Sequence, residues 1–567
     1  MKNFIKLFER YKIKGFIIPK NDEYFNEYAH SSKDRLKFIS NFSGSAGFAV
    51  ILKNKNYLFV DGRYTTQARY QSGKKFKVIT IPNQLPKDVI KPDKKIVLGF
   101  DPKLHTEKQI NFLFSIKNVA LKSIPKNLVD MVWSNKPKSL SRPFFSISSK
   151  NAGEKSTRKI IRVKNILKKN KVDYLLVTAP ENVAWVLNIR GYDTSYSPIP
   201  NARLLLDKNG EANIFTNPKK ITKIKRITAK IHDEKNFEKI LIRLSNKKIW
   251  LDSSSCSIFY KNLLQKKNKI IEKTDPIHFL KSIKNNTEIK NIKKSHLIDG
   301  IALTKFLFWL KKSFKKKKIT EISAQKKLEN FRKMNPAYKF PSFNTISGSG
   351  PNSAIIHYKA SIKTNRILKK GEIYLVDSGG QYYFGTTDVT RTISLDNKSN
   401  FVKDVYTRVL KGHIAVSNFK IKKNSNGSQV DRSARKFLKK IKLDYPHGTG
   451  HGVGYFLNVH EGPHAISKNN KINFQEGMIV SNEPGYYENG KFGIRIENLL
   501  RVKKDKNICS FDNLTMAPID KSLINKDILK KDEINWLNNY HRNVFNKLKS
   551  FMNRSELLDL KQACSKI

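Results

Sequence analysis

The chain has few cysteines and no long apolar run, and each absence excludes a class of protein. Its three cysteines, Cys256, Cys509 and Cys564, lie far apart among 567 residues, so they support neither a disulfide framework nor a thiolate zinc site. No stretch approaches the roughly 18 apolar residues that span a bilayer. The first residues alternate charged and apolar side chains, unlike a signal peptide. We therefore expect a cytoplasmic protein with no membrane segment.

Acidic residues are scarce beside basic ones: 47 Asp and Glu stand against 110 Lys and Arg, a formal net charge of +63. Such a balance is typical of nucleic-acid-binding proteins. Here, however, the excess is mostly lysine and is spread over the whole chain, whereas a phosphate-binding face concentrates charge and includes arginines and aromatic side chains. We interpret it as a compositional bias on solvated surfaces and expect no specific nucleic-acid partner.

The length exceeds what one hydrophobic core supports, because cores stop growing near roughly 250–300 residues. Residues 1–150 alternate strand-like and helix-like segments, and residues 151–282 repeat that texture, with an Asn-x-x-Gly sequence recurring at Asn41 and Asn188. Near residue 283 a helical pattern of about eight turns begins. We expect two related α/β domains at 1–150 and 151–282, then a third domain at 283–567 with an extension from about 510.

The stretch IYLVDSGGQYYFGTTDVTRTI (373–393) predicts a β-hairpin that carries two aspartates. Asp377 and Asp388 are placed symmetrically about its centre, so a regular hairpin would set them directly opposite each other on one face. Two ionised carboxylates at that distance repel unless a cation lies between them. The alternative is that one aspartate is an exposed turn residue, but the strand-forming threonines around Asp388 argue against it.

A second hairpin is predicted in MIVSNEPGYYENGKFGIRIENLL (478–500), where the first strand ends at Glu483. In the return strand Arg495 and Glu497 are two residues apart and share a face. A glutamate facing inward among apolar side chains is costly unless it is paired or bound to a metal. Arg495 alone could satisfy one such glutamate.

Four histidines accompany these acids. His447 and His451 lie in PHGTGHGVG, share a face of any extended segment, and stand among glycines that allow close approach of a ligand or a neighbouring strand. His357 and His460 end two other strand-like runs. A lone histidine is usually a satisfied core residue, but four of the twelve histidines beside four strand-borne acids favour a functional site.

One imidazole and four carboxylates form an oxygen-rich set suited to two divalent cations: Asp377, Asp388, His451, Glu483 and Glu497. Hard donors of this kind favour Mn²⁺, with Co²⁺, Zn²⁺ or Fe²⁺ as alternatives set by availability. Paired metals hold a hydroxide, polarise a carbonyl and stabilise a tetrahedral intermediate, as in aminopeptidases.

In order and spacing, four motifs resemble those of the pita-bread metallopeptidases, the family of methionine aminopeptidase, prolidase, creatinase and aminopeptidase P. They are DSGGQYYFGTTDVTRT, PHGTGHGVG, SNEPGYY and GIRIEN. The resemblance is greatest to the long, three-domain, cytosolic Xaa-Pro aminopeptidases and covers nearly the whole chain. It implies an α/β and α+β multidomain fold, in which two creatinase-N-like α/β domains precede a C-terminal pita-bread metallopeptidase domain.

The same resemblance implies a hydrolase that removes the N-terminal residue of peptides with proline in second position, through a hydroxide bridging two metal ions. In the family pattern Asp377 binds one metal, His451 and Glu483 bind the other, and Asp388 and Glu497 bridge both. Glu483 is also implied as the general base.

Further site residues follow from the resemblance alone. His460 and His357 are implied as catalytic residues that also bind the substrate and stabilise charge on its carbonyl. The other implied substrate-binding residues are Arg63, His447, Arg495 and Tyr487. A homodimer with two metal ions per subunit is the family expectation.

Two alternatives remain open at this point. A prolidase has the same metal set but cleaves only dipeptides, and the double N-terminal domain with Arg63 favours the aminopeptidase over it. A non-catalytic binding protein on the pita-bread scaffold would have lost metal ligands, whereas all five positions are present.

Overall fold

A computed structural model of the protein describes residues 1–139, 141–224, 226–505 and 508–567, and the chain divides into two units, Met1–Leu280 and Lys281–Ile567. Among the helices in these ranges, none combines the length and the apolar character that a bilayer crossing requires.

The first part of unit 1 is a six-stranded mixed sheet with helices around it. Its strands are β1 (Gly15–Pro19), β2 (Phe48–Leu52), β3 (Asn56–Asp61), β4 (Lys77–Ile81), β5 (Ile96–Phe100) and β6 (Val119–Ser123). Its helices are α1 (Lys2–Arg10), α2 (Arg35–Ser40), α3 (Thr65–Ser72), α4 (Pro86–Val89), α5 (Glu107–Phe114) and α6 (Leu128–Val132). The spatial order is β4-β3-β2-β1-β5-β6, and β2 is antiparallel to both of its neighbours while the other pairs are parallel.

The second part of unit 1 repeats this sheet. Its strands are β7 (Phe145–Ser146), β8 (Tyr174–Val177), β9 (Ile189–Arg190), β10 (Arg203–Asp207), β11 (Ala212–Thr216), β12 (Lys230–Asp233), β13 (Lys248–Leu251) and β14 (Lys269–Glu272). Its helices are α7 (Ser149–Ala152), α8 (Ser156–Lys169), α9 (Pro180–Val186), α10 (Phe237–Arg243), α11 (Ile258–Gln265) and α12 (Pro276–Ser282), whose last two residues belong to unit 2. The sheet order is β12-β11-β10-β8-β13-β14, with β10 antiparallel to both neighbours and the other pairs parallel.

The two sheets therefore share strand order and direction, which confirms the expected relation between the two N-terminal α/β parts. The repeated Asn-x-x-Gly has a conformational reason. Asn41 and Asn188 both adopt positive φ, 62° and 53°, and asparagine is among the few non-glycine residues that occupy this left-handed region readily.

Unit 2 combines small sheets with long helices. Its strands are β15 (Tyr338–Pro341), β16 (Ile346–Ser349), β17 (Ile373–Ser378), β18 (Gly380–Tyr382), β19 (Gly385–Thr386), β20 (Val389–Ser394), β21 (Gly450–Gly452), β22 (Glu461–Ile466), β23 (Ile479–Asn482), β24 (Gly485–Glu488), β25 (Phe492–Arg495), β26 (Asn498–Asp505) and β27 (Ile508–Asn513). Its helices are α13 (Asn286–Ser313), α14 (Glu321–Lys333), α15 (Asn400–Ser417), α16 (Gly427–Lys439), α17 (Lys531–Leu548) and α18 (Arg554–Ala563). The sheet orders are β15-β18-β19, β16-β17-β20, β22-β21-β23-β26-β27 and β24-β25.

Helix α13 confirms the predicted eight-turn helix and begins at a capping box, in which Asn285 and Glu288 each accept from the other's backbone N–H. Its apolar side packs against β17 and β20: Leu303 and Leu307 share a core with Tyr374, Val376 and Val389. Because neighbouring strand residues alternate between faces, this packing turns the odd-numbered residue 377 and the even-numbered residue 390 to the opposite side of the sheet. That side carries the candidate site.

Candidate metal centre

The two aspartates lie on the predicted hairpin, but not in the predicted register. β17 pairs with β20 so that Asp377 faces Thr390, and the β18–β19 pairing of Gln381 with Thr386 continues the same register. Asp388 therefore lies across from Gly379, two positions from Asp377. The expectation that Asp377 and Asp388 are directly opposite is wrong, since they are diagonal neighbours on one face, still within reach of a shared ligand.

The second predicted hairpin forms between β24 and β25, and the return strand is interrupted before β26. Glu497 lies in this interruption, beside Arg495. Both side chains meet Thr390: its Oγ1 donates to Glu497 Oε2 at 2.8 Å and accepts from Arg495 Nε at 3.1 Å. The guanidinium of Arg495 also donates to Asp377 Oδ2 at 2.7 Å. Arg495 and Glu497 are therefore both bonded to Thr390, which lies opposite Asp377 in the sheet.

His451 lies at the centre of β21 and directs one ring nitrogen at the acids. Its Nδ1 is 2.9 Å from the carbonyl oxygen of Gly452, which can only accept, so Nδ1 donates to this oxygen and Nε2 is the nitrogen that faces the acids. Nε2 lies 3.5 Å from Asp388 Oδ2 and 3.4 Å from Glu483 Oε1. Ligand atoms of Asp388, His451 and Glu497 all lie within 4.8 Å of one another.

The electrostatics of these acids fit bound cations. Burial raises the pKa of Asp388 well above its ordinary value, and the charges of Asp377 and Glu483 raise it further. Burial also raises the pKa of Glu497, again with help from neighbouring carboxylates. Oδ1 of Asp377 and Oδ1 of Asp388 are buried without a hydrogen-bond partner among the described residues. Carboxylates crowded in this way, with one imidazole, are suited to hard divalent cations.

A chain of hydrogen bonds leads from the acids to His447. Arg495 Nη1 donates to the Tyr487 hydroxyl at 2.5 Å, and that hydroxyl lies 2.9 Å from His447 Nε2. His447 Nδ1 faces the carbonyl of Gly448 at 2.7 Å, so it carries the hydrogen and Nε2 accepts from Tyr487. The predicted substrate-binding residues His447, Tyr487 and Arg495 thus form one connected group beside Asp377.

The other two predicted histidines also lie in unit 2, although neither ends a strand. The His460 ring is perpendicular to that of His451 with centroids 4.4 Å apart, and it precedes β22 after an irregular segment. His357 lies in a turn, next to Ile356, whose carbonyl oxygen is 3.5 Å from Arg495 Nη2. The expected strand-like runs before both histidines are therefore wrong, because 3₁₀ and bend conformations replace them.

Arg63 belongs to unit 1, where it follows β3. Its guanidinium makes a bidentate interaction with Asp61, with distances of 3.0 and 2.8 Å, and about a third of its side chain is exposed. Its expected contact with a peptide stays a prediction.

Sequence reasoning missed two contributors to the site. Thr390 has the sequence pattern of an ordinary strand former, and its bridging role depends on register. Ser481 was not singled out, yet its hydroxyl accepts from the backbone N–H of His451 at 2.9 Å and donates to Glu483 Oε1 at 3.1 Å. The glycines beside His451 also have a reason: a Cβ at Gly450 would lie 1.9 Å from the Ser481 carbonyl oxygen, so glycine permits the strands to pack.

Models of known protein families match almost the whole chain. Residues 290–504 match the model of metallopeptidase family M24, and residues 507–567 match its C-terminal region. Residues 1–126 and 135–288 match two models of the creatinase/prolidase N-terminal domain. These matches confirm the expected fold class.

Individual relatives agree with these matches. Xaa-Pro aminopeptidase 1 of Dictyostelium discoideum is 36% identical, over 94% of this chain and 90% of that protein. The crystal structure of X-prolyl aminopeptidase from Caenorhabditis elegans, described as a cytosolic enzyme with a di-nuclear active site, has a TM-score of 0.91 at 30% identity and covers 98% of this chain and 95% of that chain. Prolidase from Pyrococcus furiosus has a TM-score of 0.52 at 25% identity, covering 62% of this chain and 98% of its own.

Proposed function

The chain belongs to metallopeptidase family M24, among the Xaa-Pro aminopeptidases, and we propose that it removes the N-terminal residue of peptides whose second residue is proline. The observation that carries this proposal is the convergence of Asp388, His451 and Glu497, whose ligand atoms lie within 4.8 Å of one another next to the Asp377–Arg495 pair. The similarity to Xaa-Pro aminopeptidases over nearly the full length supports the same reaction.

Two divalent cations are the proposed cofactors. Asp377 would hold one of them, His451 and Glu483 would hold the other, and Asp388 and Glu497 would be ligands shared by both. When bound, such cations polarise the scissile carbonyl and lower the pKa of a water molecule. Mn²⁺ is the proposed ion, since the donors are mostly carboxylates, and Co²⁺, Zn²⁺ or Fe²⁺ are the alternatives.

Glu483 is the proposed general base. Its side chain is 18% exposed, against 5% for Asp388 and 11% for Asp377, so it is the acid best placed to meet substrate and water. Ser481 holds one carboxylate oxygen of Glu483 at 3.1 Å and so orients it. In this position Glu483 takes a proton from the attacking water and returns it to the departing proline nitrogen.

The remaining residues are proposed to hold the peptide. An Xaa-Pro bond has no amide hydrogen, so recognition cannot depend on that donor. His460, beside His451, and His357 are proposed to stabilise negative charge on the scissile carbonyl oxygen. His447 and Tyr487, tied to Arg495, are proposed to line the peptide pocket.

We extend the proposal to three features of the whole chain. Residues 1–150 and 151–282 are assigned as two domains, supported by the two equivalent sheets, and the catalytic domain is assigned to 283–567. Arg63 of the first domain is proposed to contact the peptide. The protein is proposed to act as a cytoplasmic homodimer, with the cytosolic C. elegans enzyme in support of the location.

The test compares a Lys-Pro-Pro tripeptide with a Lys-Pro dipeptide, using protein freed of metal by chelation and then supplied with Mn²⁺. We expect metal-dependent release of lysine from the tripeptide. Cleavage of the dipeptide alone would favour a prolidase, and no cleavage with any of the four metals would favour a binding protein.

Two variants separate chemistry from folding. Glu483→Gln is expected to abolish turnover while the protein stays folded. Glu488→Gln is the matched control, since Glu488 lies in β24 near the site but pairs with the exposed Lys491. An active Glu483→Gln variant would contradict the assignment of the base.

A further inference from the structure

A fully buried arginine lies behind the candidate metal centre. Arg391 of β20 is 1% exposed and follows Thr390, but its side chain points to the opposite face of the strand from that of Thr390. Six oxygens lie 2.7–2.9 Å from the three nitrogens of its guanidinium, within hydrogen-bond distance, and in the described part of the chain every one of these acceptors is uncharged. Burying a cation without a carboxylate partner costs free energy of folding. We therefore expect Arg391 to have a role other than stabilising the fold.

Two of these bonds hold the backbone of site residues. Arg391 Nη1 donates to the carbonyl of Thr390 at 2.8 Å and to the carbonyl of Glu497 at 2.7 Å. Glu497 lies in the interruption between β25 and β26, where the ladder bonds that fix a strand residue stop. Its N–H still donates to the Thr390 carbonyl at 3.2 Å, and the arginine supplies the restraint on its own carbonyl.

The other end of the guanidinium is held by the C-terminal part of the chain. Arg391 Nη2 donates to the hydroxyl of Tyr540, in α17, at 2.8 Å and to the carbonyl of Ala517 at 2.8 Å. The Tyr540 hydroxyl in turn donates to Ala517 at 2.6 Å. Nε donates to the carbonyl of Pro518 at 2.9 Å. Arginine is suited to this position, because its planar fork offers five donors in fixed directions whereas lysine offers three rotating ones.

We propose that Arg391, held in place by Tyr540, is the positioning residue for Glu497. Helix α17, which carries Tyr540, would then help to fix the geometry of the metal centre. The inference rests on the proposed role of Glu497 as a bridging metal ligand. Partners that orient metal ligands from behind typically contribute about 10–100-fold to metal affinity or activity when they are removed.

The experiment measures Mn²⁺ binding to the metal-free full-length protein by titration calorimetry. Arg391→Lys keeps the positive charge but loses the planar guanidinium, and Tyr540→Phe removes the hydroxyl that accepts from Arg391 Nη2. We expect both to weaken Mn²⁺ binding by about 10-fold or more. Because Glu497 is not proposed to touch the peptide, kcat at low Mn²⁺ should fall while KM stays unchanged, and excess Mn²⁺ should restore kcat.

Tyr374→Phe is the matched control. Tyr374 is another buried tyrosine of unit 2, and its hydroxyl bonds Ser347 at 2.7 Å rather than the site. It should lower stability without changing Mn²⁺ affinity. If Arg391→Lys does not fold, Tyr540→Phe decides alone.

The inference is overturned if the folded variants bind Mn²⁺ as tightly as the wild type, or if Tyr374→Phe weakens binding equally. A wild-type protein that binds no pair of Mn²⁺ ions would instead overturn the proposed function, which keeps the two failures distinct.

Discussion

Removing the carboxylate of Glu461 should destabilise unit 2 strongly. Glu461 directly follows His460, and its side chain is 2% exposed. It lies 2.5 Å from the ammonium of Lys284 and 3.3 Å from that of Lys281, both 1% exposed. Glu461→Gln preserves the shape but leaves two buried positive charges without a counter-charge. Breaking a buried ion pair in this way costs about 3–5 kcal/mol.

The pKa of Glu461 gives a second estimate of this loss in the free energy of unfolding, and the two agree in size. Burial alone would raise this pKa, but the attraction of Lys281 and Lys284 outweighs it and lowers the pKa from 4.5 to about 2. A difference of that size between the folded and unfolded states corresponds to roughly 3 kcal/mol. Since the folded pKa is the lower one, this contribution is complete above about pH 4.5 and is lost as the pH falls toward about 2.

The assay is thermal unfolding of the full chain by calorimetry at pH 7 and at a series of lower pH values. An unfolding entropy of about 2.1 cal/mol/K per residue over roughly 290 residues converts 3 kcal/mol into a Tm decrease of about 5 °C for Glu461→Gln. Adding Lys284→Met should recover part of the loss, because one uncompensated charge is removed. The stability difference from the wild type should shrink between about pH 4.5 and 2. A loss below about 1 kcal/mol at pH 7, or a difference that does not depend on pH, would refute the reasoning.

Three further predictions concern the site itself. Thr390→Val removes the hydroxyl that bonds both Glu497 and Arg495. It should lower the free energy of unfolding in urea by about 1.5–3 kcal/mol and weaken Mn²⁺ binding. Unchanged Mn²⁺ binding would contradict the bridging role of Thr390. Tyr487→Phe removes the hydroxyl that links Arg495 to His447. Because one charge-assisted hydrogen bond of about 1.5 kcal/mol is lost, kcat/KM for the tripeptide should fall by about 10-fold. An equal loss in Tyr486→Phe would show a general packing effect. Chelation of the metal should lower the Tm, because bound cations relieve the repulsion among the buried carboxylates. Mn²⁺ at about 100 times its Kd should restore about 2.7 kcal/mol of the free energy of unfolding. A Tm that chelation leaves unchanged would contradict this.

Local patterns in the sequence predicted much of the fold. The apolar run GFIIP (15–19) has the pattern of a buried strand, and it forms β1 with all five of its residues buried. The eight-turn helix is α13, because apolar residues at helical spacing follow a clear capping box. The second hairpin was also predictable, because the turn residues Asn489 and Gly490 lie between two strand-forming runs.

The register of the first hairpin could not be predicted from the same patterns. The loop between β18 and β19 consists of Tyr383 and Phe384, two residues without the usual preference for a tight turn. The glycines at 379 and 380 suggested an earlier reversal, yet Gly380 lies in β18. This difference of two positions separates Asp377 and Asp388 along the strands while leaving them on one face.

The supporting contacts were beyond sequence reasoning for a different reason. Thr390, Arg391 and Glu461 each act through residues far away in the chain, such as Glu497, Tyr540 and Lys284. Nothing in their local sequence distinguishes them from ordinary strand residues. Only the tertiary fold shows which carboxylate or carbonyl each one reaches.

The most direct test of the account is a titration of Mn²⁺ into the metal-free protein, with hydrolysis of Lys-Pro-Pro followed at each step. A two-metal enzyme should release no lysine without metal and should reach its plateau of lysine release at two Mn²⁺ per chain. Hydrolysis that persists in the chelated protein, or that is complete at one Mn²⁺ per chain, would contradict a two-metal Xaa-Pro aminopeptidase.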